Sequence, residues 1–181
     1  MQTLAPGLLL AMPQMGDPNF RRAVILMLEH GEGGSMGLII NRGAPLTLGE
    51  LAKNQSLGIA PERQNQPVFV GGPVEPHRGF VLHDDVRVEE KHPVLPGLYL
   101  SLTLDSLGPL LQDPGPHVRF CLGYAGWGPK QLESEIASGS WLYSEASARP
   151  VLEADPSLLW DNTLKGMGVD PALLIKGKGL N

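Results

Sequence analysis

The sequence predicts an α+β fold, in which a curved, mostly antiparallel or mixed sheet is accompanied by a few short helices. Runs of apolar, branched residues fall in neighbouring pairs, as they do in β-hairpins. Stretches with helical spacing are few and short. There are 23 glycines and 17 prolines among 181 residues, and they interrupt the chain too often for a long helical bundle.

Length and composition indicate one folded domain over residues 1–181. A chain of this length usually forms a single unit. Its apolar fraction of 42% is too high for a disordered segment of high charge and low hydrophobicity. No stretch approaches the roughly 18 apolar residues of a membrane span, so we expect no membrane association.

The charge balance narrows the classes of partner. The formal net charge is -5, and the longest basic run is Arg21-Arg22. A domain that grips nucleic acid normally presents a basic surface, so direct nucleic-acid binding is not expected. The single cysteine, Cys121, excludes an internal disulfide and a cysteine-based zinc site. We therefore expect a cytoplasmic protein with no metal and no cofactor.

The clearest element is a β-hairpin in the first quarter of the chain. Residues 23–30 and 35–41 are two apolar runs, and the glycine-rich residues 31–34 join them. Because the runs are nearly continuous rather than alternating, both faces of this hairpin should be covered.

A second hairpin is predicted from residues 67–74 and 79–83, with residues 75–78 as its turn. Gly71 and Gly72 lack a Cβ, so they could permit a bulge or the close approach of a backbone or a ligand.

Later in the chain, residues 98–102 and 117–124 are predicted as short strands. Two helices are marked by polar residues at their starts. Thr47 begins a capping-box pattern, and Asp105 is the predicted cap of the segment 105–111.

The best-defined helix should follow Trp127, with Pro129 in its first turn and Gly139 at its end. A last helix is predicted over residues 156–165, and it would place three leucines against the body of the protein: Leu158, Leu159 and Leu164.

Three blocks of the sequence, spread over about residues 4–170, carry a family resemblance in their order and spacing. The first comprises Ala11-Met12-Pro13, residues 17–24, Glu29-His30 and residues 36–41; the second comprises Gly71-Gly72-Pro73-Val74 and residues 78–83; the third comprises residues 122–127 with Gln131, Leu132, Glu133, Glu135 and Trp141-Leu142. Together these blocks resemble the YqgE/AlgH family.

The resemblance implies a bacterial protein whose bifurcated sheet curls into a pseudo-barrel. It also implies a role in transcriptional regulation. It supplies no established reaction and no set of catalytic residues to carry over.

The glycine-rich segment 123–129 is a candidate ligand site. It joins a predicted strand to a helix start, where free N–H groups and the helix dipole could hold a phosphate or carboxylate. It matches neither a dinucleotide fingerprint nor a Walker loop. The alternative is a tight strand-to-helix turn in which Trp127 packs as an anchor.

Other polar groups are further candidate sites. Glu29-His30 should lie near the hairpin tip and Asn41-Arg42 at its opposite end, beside Arg22. The first pair could do acid–base work or could simply bond the backbone at a strand end. A metal would need His77, His83, Asp84 and Asp85 to gather, and their spacing specifies no such site. Cys121 is expected to be a small buried hydrophobic residue.

Two functional hypotheses follow. The leading one is a non-enzymatic cytoplasmic regulator that acts indirectly, through a protein or small-ligand contact. The alternative is a protein or enzyme that binds a small anionic ligand near Gly71-Gly72-Pro73 and Gly126-Trp127-Gly128. The candidate ligand-binding residues are therefore Gly71, Gly72, Gly126, Trp127 and Gly128.

Overall fold

The computed structural model describes residues 3–177, so residues 1–2 and 178–181 of the predicted domain lie outside the described part. Two sets of elements are present. The strands are β1 (Gly7–Ala11), β2 (Val24–Gly31), β3 (Gly34–Ile39), β4 (Gly43–Thr47), β5 (Pro67–Val70), β6 (Val74–His83), β7 (His92–Leu95), β8 (Leu98–Ser101), β9 (Val118–Trp127) and β10 (Trp141–Ser144). The helices are α1 (Leu48–Asn54), α2 (Leu104–Gln112), α3 (Gln131–Ala137), α4 (Ala148–Glu153), α5 (Pro156–Gly166) and α6 (Pro171–Gly177).

The strands form one sheet that curls into a half-barrel, which confirms the predicted α+β class and curved sheet. Its main path runs β10-β1-β2-β3-β9-β6-β8-β7, and every neighbouring pair on that path is antiparallel. A branch leaves at β9, where β5 pairs in parallel and β4 then pairs with β5. In residues 3–177, no helix is both long enough and apolar enough to cross a bilayer.

The first predicted hairpin is confirmed as β2 and β3, which pair from Ile25 opposite Ile39 to Gly31 opposite Gly34. Its apolar side chains alternate between two buried clusters. Leu26 packs into the cluster that contains Trp160, whereas Ile25 packs into the cluster that contains Trp127. Both faces of the hairpin are therefore covered, as the continuous apolar runs predict.

The second predicted hairpin is wrong, because β5 and β6 do not pair with each other. Strand β9 lies between them: Cys121 is opposite Phe69 on one edge and opposite Phe80 on the other. The predicted turn at residues 75–78 lies within β6, at an irregular stretch between Val74 and Gly79. The hairpin prediction failed because the strands of a parallel pair are joined by a long connection, which has no local turn signal in the sequence.

The sheet divides at β9, and we call this point the fork. One edge of β9 pairs with β5 at Leu122 and then with β3 from Ala125 onwards. Gly71 links the two branches, since the Ile39 N–H donates to its carbonyl at 2.7 Å and its own N–H donates to the Leu122 carbonyl at 2.8 Å.

The helix caps confirm one prediction and correct another. Thr47 caps α1, accepting the Glu50 N–H at 3.2 Å, as the capping box predicts. The predicted cap Asp105 is wrong: Thr103 caps α2 by accepting the Ser106 N–H. Thr103 has the extended backbone of a cap, and Asp105 lies inside the first turn, where its carboxylate faces the positive end of the dipole.

The helices in the C-terminal third differ from prediction in detail. Strand β9 runs on to Trp127 and α3 begins only at Gln131, so Pro129 lies in the connection and not in the first helical turn. Gly139, with φ of 82°, follows the end of α3 as predicted.

Helix α5 is confirmed over nearly its predicted range. Leu159 and Leu164 are buried, but Leu158 is 50% exposed, so its predicted packing is wrong. Trp160 occupies the core instead, because it lies four residues before Leu164 on the same face of the helix.

Candidate functional site

The two predicted site residues Gly71 and Gly72 lie buried at the fork, where backbone packs directly on backbone. A Cβ on Gly71 would lie 2.3 Å from the Gly123 carbonyl oxygen, and one on Gly72 would lie 2.1 Å from the carbonyl carbon of Tyr124. Because these two residues have no side chain, the backbone at residues 71 and 72 can pack directly against the backbone of β9. The space between these segments is filled by the protein itself.

Gly126 and Trp127, by contrast, line an open cleft between the β2–β3 hairpin and the end of β9. We call it the hairpin cleft. It has a volume of about 730 Å³, and His30, Met36 and Val74 also line it. Gly128 is exposed beside it, and its N–H donates to the Gln131 side-chain oxygen at 2.9 Å, which closes the connection to α3. The structure therefore brings together Gly126 and Trp127, and places Gly71 and Gly72 elsewhere.

Trp127 forms the packed wall of this cleft. Only 7% of its surface is exposed, and its ring meets that of Trp141 edge-on at a centroid distance of 5.9 Å. It also belongs to the cluster that buries Leu132 of α3. This geometry is that of the predicted anchor, although the residue ends a strand and does not lie in a turn.

The charge of the hairpin cleft does not suit an anion. Glu29 is exposed on its wall, and among its lining residues there is no lysine or arginine. Helix α3 is only seven residues long and starts four residues after Trp127. A phosphate in the cleft would therefore meet no cationic side chain among the lining residues.

His30 is held in one tautomer by two hydrogen bonds. Its Nδ1 accepts the Leu4 N–H at 3.1 Å, so the ring proton resides on Nε2 and is donated to Glu133 Oε1 at 2.6 Å. The Glu133 pKa is lowered, first by its own backbone N–H and then by the bond from His30. The bond between His30 and Glu133 fixes the β2–β3 hairpin to helix α3. Both ring nitrogens of His30 are therefore engaged in hydrogen bonds.

The opposite end of the hairpin forms a separate polar group, as predicted. Asn41 accepts the Val24 N–H and donates to the Arg22 carbonyl, both at 2.9 Å. Arg42 donates to the carbonyls of Asn19 and Arg21. These bonds hold the loop that precedes β2 in place.

The residues considered for a metal are dispersed. His83 is fully buried, with Nδ1 accepting the Asp85 N–H at 3.1 Å and Nε2 2.8 Å from Ser101 Oγ, while Asp84 pairs with His117 at 2.7 Å. His77 is exposed. Within residues 3–177, three or more histidine, cysteine or acidic side chains are nowhere grouped as a metal site requires.

Cys121 is fully buried in the core, at the strand position where β5 and β6 flank β9. Burial raises the pKa of its thiol to about 12, because the thiolate would be poorly solvated there. The thiol is therefore protonated at neutral pH and packs as the predicted small hydrophobic residue.

Sequence reasoning missed two features. The contact of Glu133 with His30 joins residues 103 positions apart, and no local pattern marks it. A cavity lined by Arg63 and Arg119 was also missed, because neither arginine belongs to a basic run.

The sequence profile described as AlgH-like matches residues 8–172. A UPF0301 protein of Myxococcus xanthus is 71% identical over 181 residues, and the match covers all of both chains. A UPF0301 protein of Ruegeria pomeroyi is 41% identical over 180 residues, covering 97% of this chain and 98% of the other.

Two solved structures share the fold. The solution structure of the AlgH protein from Pseudomonas aeruginosa matches with a TM-score of 0.74 at 32% identity, over 97% of each chain. A crystal structure of a Corynebacterium diphtheriae protein matches with a TM-score of 0.71 at 20% identity, covering 92% of this chain and 88% of the other. At that identity, the second likeness speaks for the fold alone.

Proposed function

Because the chain belongs to the AlgH-like family of bacterial proteins, we propose that it is a non-enzymatic cytoplasmic regulator that influences transcription indirectly, through a protein contact at the hairpin cleft. The observation that carries this proposal is the cleft itself, a wide and open concavity of about 730 Å³ on the predicted residues Gly126 and Trp127. The cytoplasmic location rests on the single cysteine, which can form no internal disulfide.

The lining of the cleft favours a protein segment over a small anion. Apolar groups of Met36, Val74 and Trp127 meet exposed glycine backbone there, and Glu29 supplies a negative rim. Apolar contacts with a polar rim are typical of protein interfaces. A small anionic ligand would meet Glu29, and no lysine or arginine among the lining residues would compensate that charge.

Histidine and cysteine side chains that could take part in catalysis are hydrogen-bonded or buried within the protein, which supports a non-enzymatic role. A general base needs a ring nitrogen or carboxylate free to reach a substrate proton. Both nitrogens of His30 and of His83 make hydrogen bonds within the protein, and the Cys121 thiol is buried and protonated.

Indirect action is supported by the charge distribution. The net charge is -5, and several arginines are already occupied: Arg78 and Arg87 are in ion pairs, and Arg42 is bonded to backbone carbonyls. A protein that contacts DNA phosphates needs free cations, and its affinity falls steeply with salt.

The alternative of an anionic-ligand pocket spanning both glycine segments has less support. Its two halves do not meet in one concavity, since Gly71 and Gly72 are packed against β9 while Gly126 faces the hairpin cleft.

Filling the hairpin cleft tests the proposal. In Gly126→Gln the new side chain projects beside Tyr124, where a Cβ meets ordinary contact distances of 3.5 Å and more, so the fold should tolerate it. We expect a bacterium carrying this variant to show the altered transcript profile of a deletion strain, while the variant accumulates to normal levels.

Gly43→Gln is the matched control, because a Cβ at Gly43 has nothing within 4 Å and the residue lies outside the cleft. It should restore the profile of the native protein. If Gly126→Gln restores that profile equally well, the cleft is not the contact surface.

A further inference from the structure

Another concavity lies where β9 begins, at the opposite end of this strand from the hairpin cleft. Its volume is about 410 Å³, within the range of roughly 300–1,000 Å³ that is usual for small-molecule sites. Charged, polar and aromatic side chains line it: Arg63, Gln66, Phe69, His117, Arg119 and Glu153. We call it the arginine cavity, and none of the residues of the hairpin cleft takes part in it.

Arg63 brings an almost fully buried positive charge to this cavity, with 1% of its surface exposed. Its guanidinium donates to the Asp113 carbonyl at 2.9 and 2.6 Å, to the Pro116 carbonyl, and to Gln66 Oε1 at 3.2 Å. Within the described chain, no carboxylate forms an ion pair with it. Buried charges are usually paired with an opposite charge. The Arg63 charge is instead compensated by carbonyl and amide dipoles and by more distant acidic groups.

Arg119 has an unfilled hydrogen-bonding position. One terminal nitrogen donates to the Ala154 carbonyl at 2.6 Å, and the guanidinium carbon lies 5.1 Å from the ring centroid of Phe69. Its Nε is buried, and in residues 3–177 no acceptor reaches it. A buried donor without an acceptor is rare in native proteins and calls for a missing partner.

The acidic groups at and near the cavity already have partners within the protein. Glu153 bonds His117 Nε2 at 3.2 Å and Arg149 Nε at 2.9 Å. Asp155 acts on Arg119 only at longer range, since its carboxylate caps α5 through the Ser157 N–H at 2.9 Å. Burial is the main influence on the pKa of both arginines and lowers it, because a buried guanidinium is poorly solvated. An entering anion would relieve that cost.

From this geometry we infer that the arginine cavity binds a small oxyanion, either inorganic phosphate or the phosphate monoester of a small metabolite, and that Arg119 contacts it. A guanidinium presents planar, charge-assisted donors that suit phosphate oxygens. Gln66 and His117 border the same space and complete a polar lining. The site does not depend on the proposed regulatory contact, and it differs in position from the glycine segments that the sequence suggested.

Thermal unfolding of the full-length protein in inorganic phosphate, against sodium chloride of equal ionic strength, tests the inference. A ligand that binds the native state raises the melting temperature in a concentration-dependent way. We expect a phosphate-specific rise for the native protein and its loss in Arg119→Gln. A parallel series with glycerol 3-phosphate distinguishes a site for free phosphate from one for a phosphate monoester.

Arg78→Gln is the matched control. Arg78 also lies 5.1 Å from a phenylalanine ring centroid, that of Phe80, but it is outside the cavity. This variant should keep the native response. Each variant is compared with its own melting temperature without phosphate, so a change in basal stability does not affect the result.

If Arg119→Gln does not fold, Arg119→Lys keeps the charge and loses the planar donor fork. Titration calorimetry should then show phosphate binding weakened about tenfold or more, which corresponds to the roughly 1.5–3 kcal/mol of a hydrogen bond to a charged group. The inference is overturned if the native protein shows no phosphate-specific response, or if the Arg119 variants respond as it does.

Discussion

Single residues in this protein show how buried polar groups are kept in one state. His83 is enclosed by the core, and its two ring nitrogens are matched to the Asp85 N–H and to the Ser101 hydroxyl. Ser101 in turn donates to the Glu90 carbonyl at 2.5 Å. The imidazole is therefore part of a chain of hydrogen bonds that needs the neutral ring, because a second ring proton would face the Asp85 N–H.

The His83 site predicts a stability that depends on pH. Burial lowers the pKa of His83 below its ordinary value of 6.5, so from about pH 6.5 downward the unfolded chain gains a proton that the native ring does not. The free energy of unfolding should thus fall as the pH decreases through this window, towards the lowered native pKa. In His83→Asn this component should be missing, and stability at pH 7.5 should be lower by about 1–3 kcal/mol because a buried partner is left unpaired.

Urea unfolding at pH 7.5 and at pH 5.5 checks this expectation. The exposed residue His77 provides the control, since His77→Asn should keep the native difference between the two pH values. An equal loss of stability in His83→Asn and in the native protein would show that another group is responsible.

For single residues, the sequence predicts which side chains are buried, but it does not predict which distant side chains they contact. The burial of Cys121 between Phe120 and Leu122 follows from its neighbours and its β-strand context. The contact of His30 with Glu133 does not, because it depends on how α3 packs against the hairpin 103 residues away in sequence.

Among the elements, strand β9 organises the sheet. Its residues pair with β6 along one edge and with β5 and then β3 along the other. Glycine makes this crowded arrangement possible at Gly123, where φ is 76° and a Cβ would lie 2.3 Å from the Gly72 carbonyl oxygen.

Alanine substitutions within β9 should distinguish a glycine required by close packing from one that tolerates a side chain. Gly123→Ala combines a left-handed backbone with a backbone clash and should cost about 2–4 kcal/mol in the free energy of unfolding. Gly126→Ala in the same strand meets no contact shorter than 3.5 Å and should change stability by less than about 1 kcal/mol. Denaturant unfolding measures both, and similar values for the two variants would contradict the packing role of the fork.

The elements that sequence reasoning identified are the local ones. The β2–β3 hairpin and helices α1 and α5 carry their own turn or capping signals. The parallel pairing of β5 with β9 has no such signal, so the chain around Gly71 was assigned to a hairpin. The sequence also suggested one pocket near four glycines; two of them lie at the fork, and the other two lie in the hairpin cleft or at its margin.

The whole molecule is built from three buried clusters that β9 connects. Cys121 belongs to the cluster with Trp160, Ala125 to the one with Trp127, and Phe120 to a third beneath α1 and α2. A strand that contributes to all three makes it difficult for one cluster to open alone. On this basis we propose that residues 1–181 form a single domain.

A single domain predicts one cooperative unfolding transition. Tryptophan fluorescence reports Trp160 in the first cluster and Trp127 and Trp141 in the second, whereas far-ultraviolet circular dichroism reports the whole backbone. The two signals should give the same midpoint and the same slope in urea. Separate midpoints would indicate that the clusters unfold as independent units.

The position of β9 late in the chain also determines the order in which a nascent chain can complete its sheet. Strands β3 and β5 have been synthesised by residue 70, but the strand that both require ends at residue 127. At about 5–20 residues per second, the ribosome takes several seconds to supply the intervening segment. During that interval the edge of β3 that faces away from β2 has no strand to pair with. Newly made chains thus pass through a stage at which a chaperone would have a defined segment to protect, and slower translation between residues 70 and 127 should lengthen it.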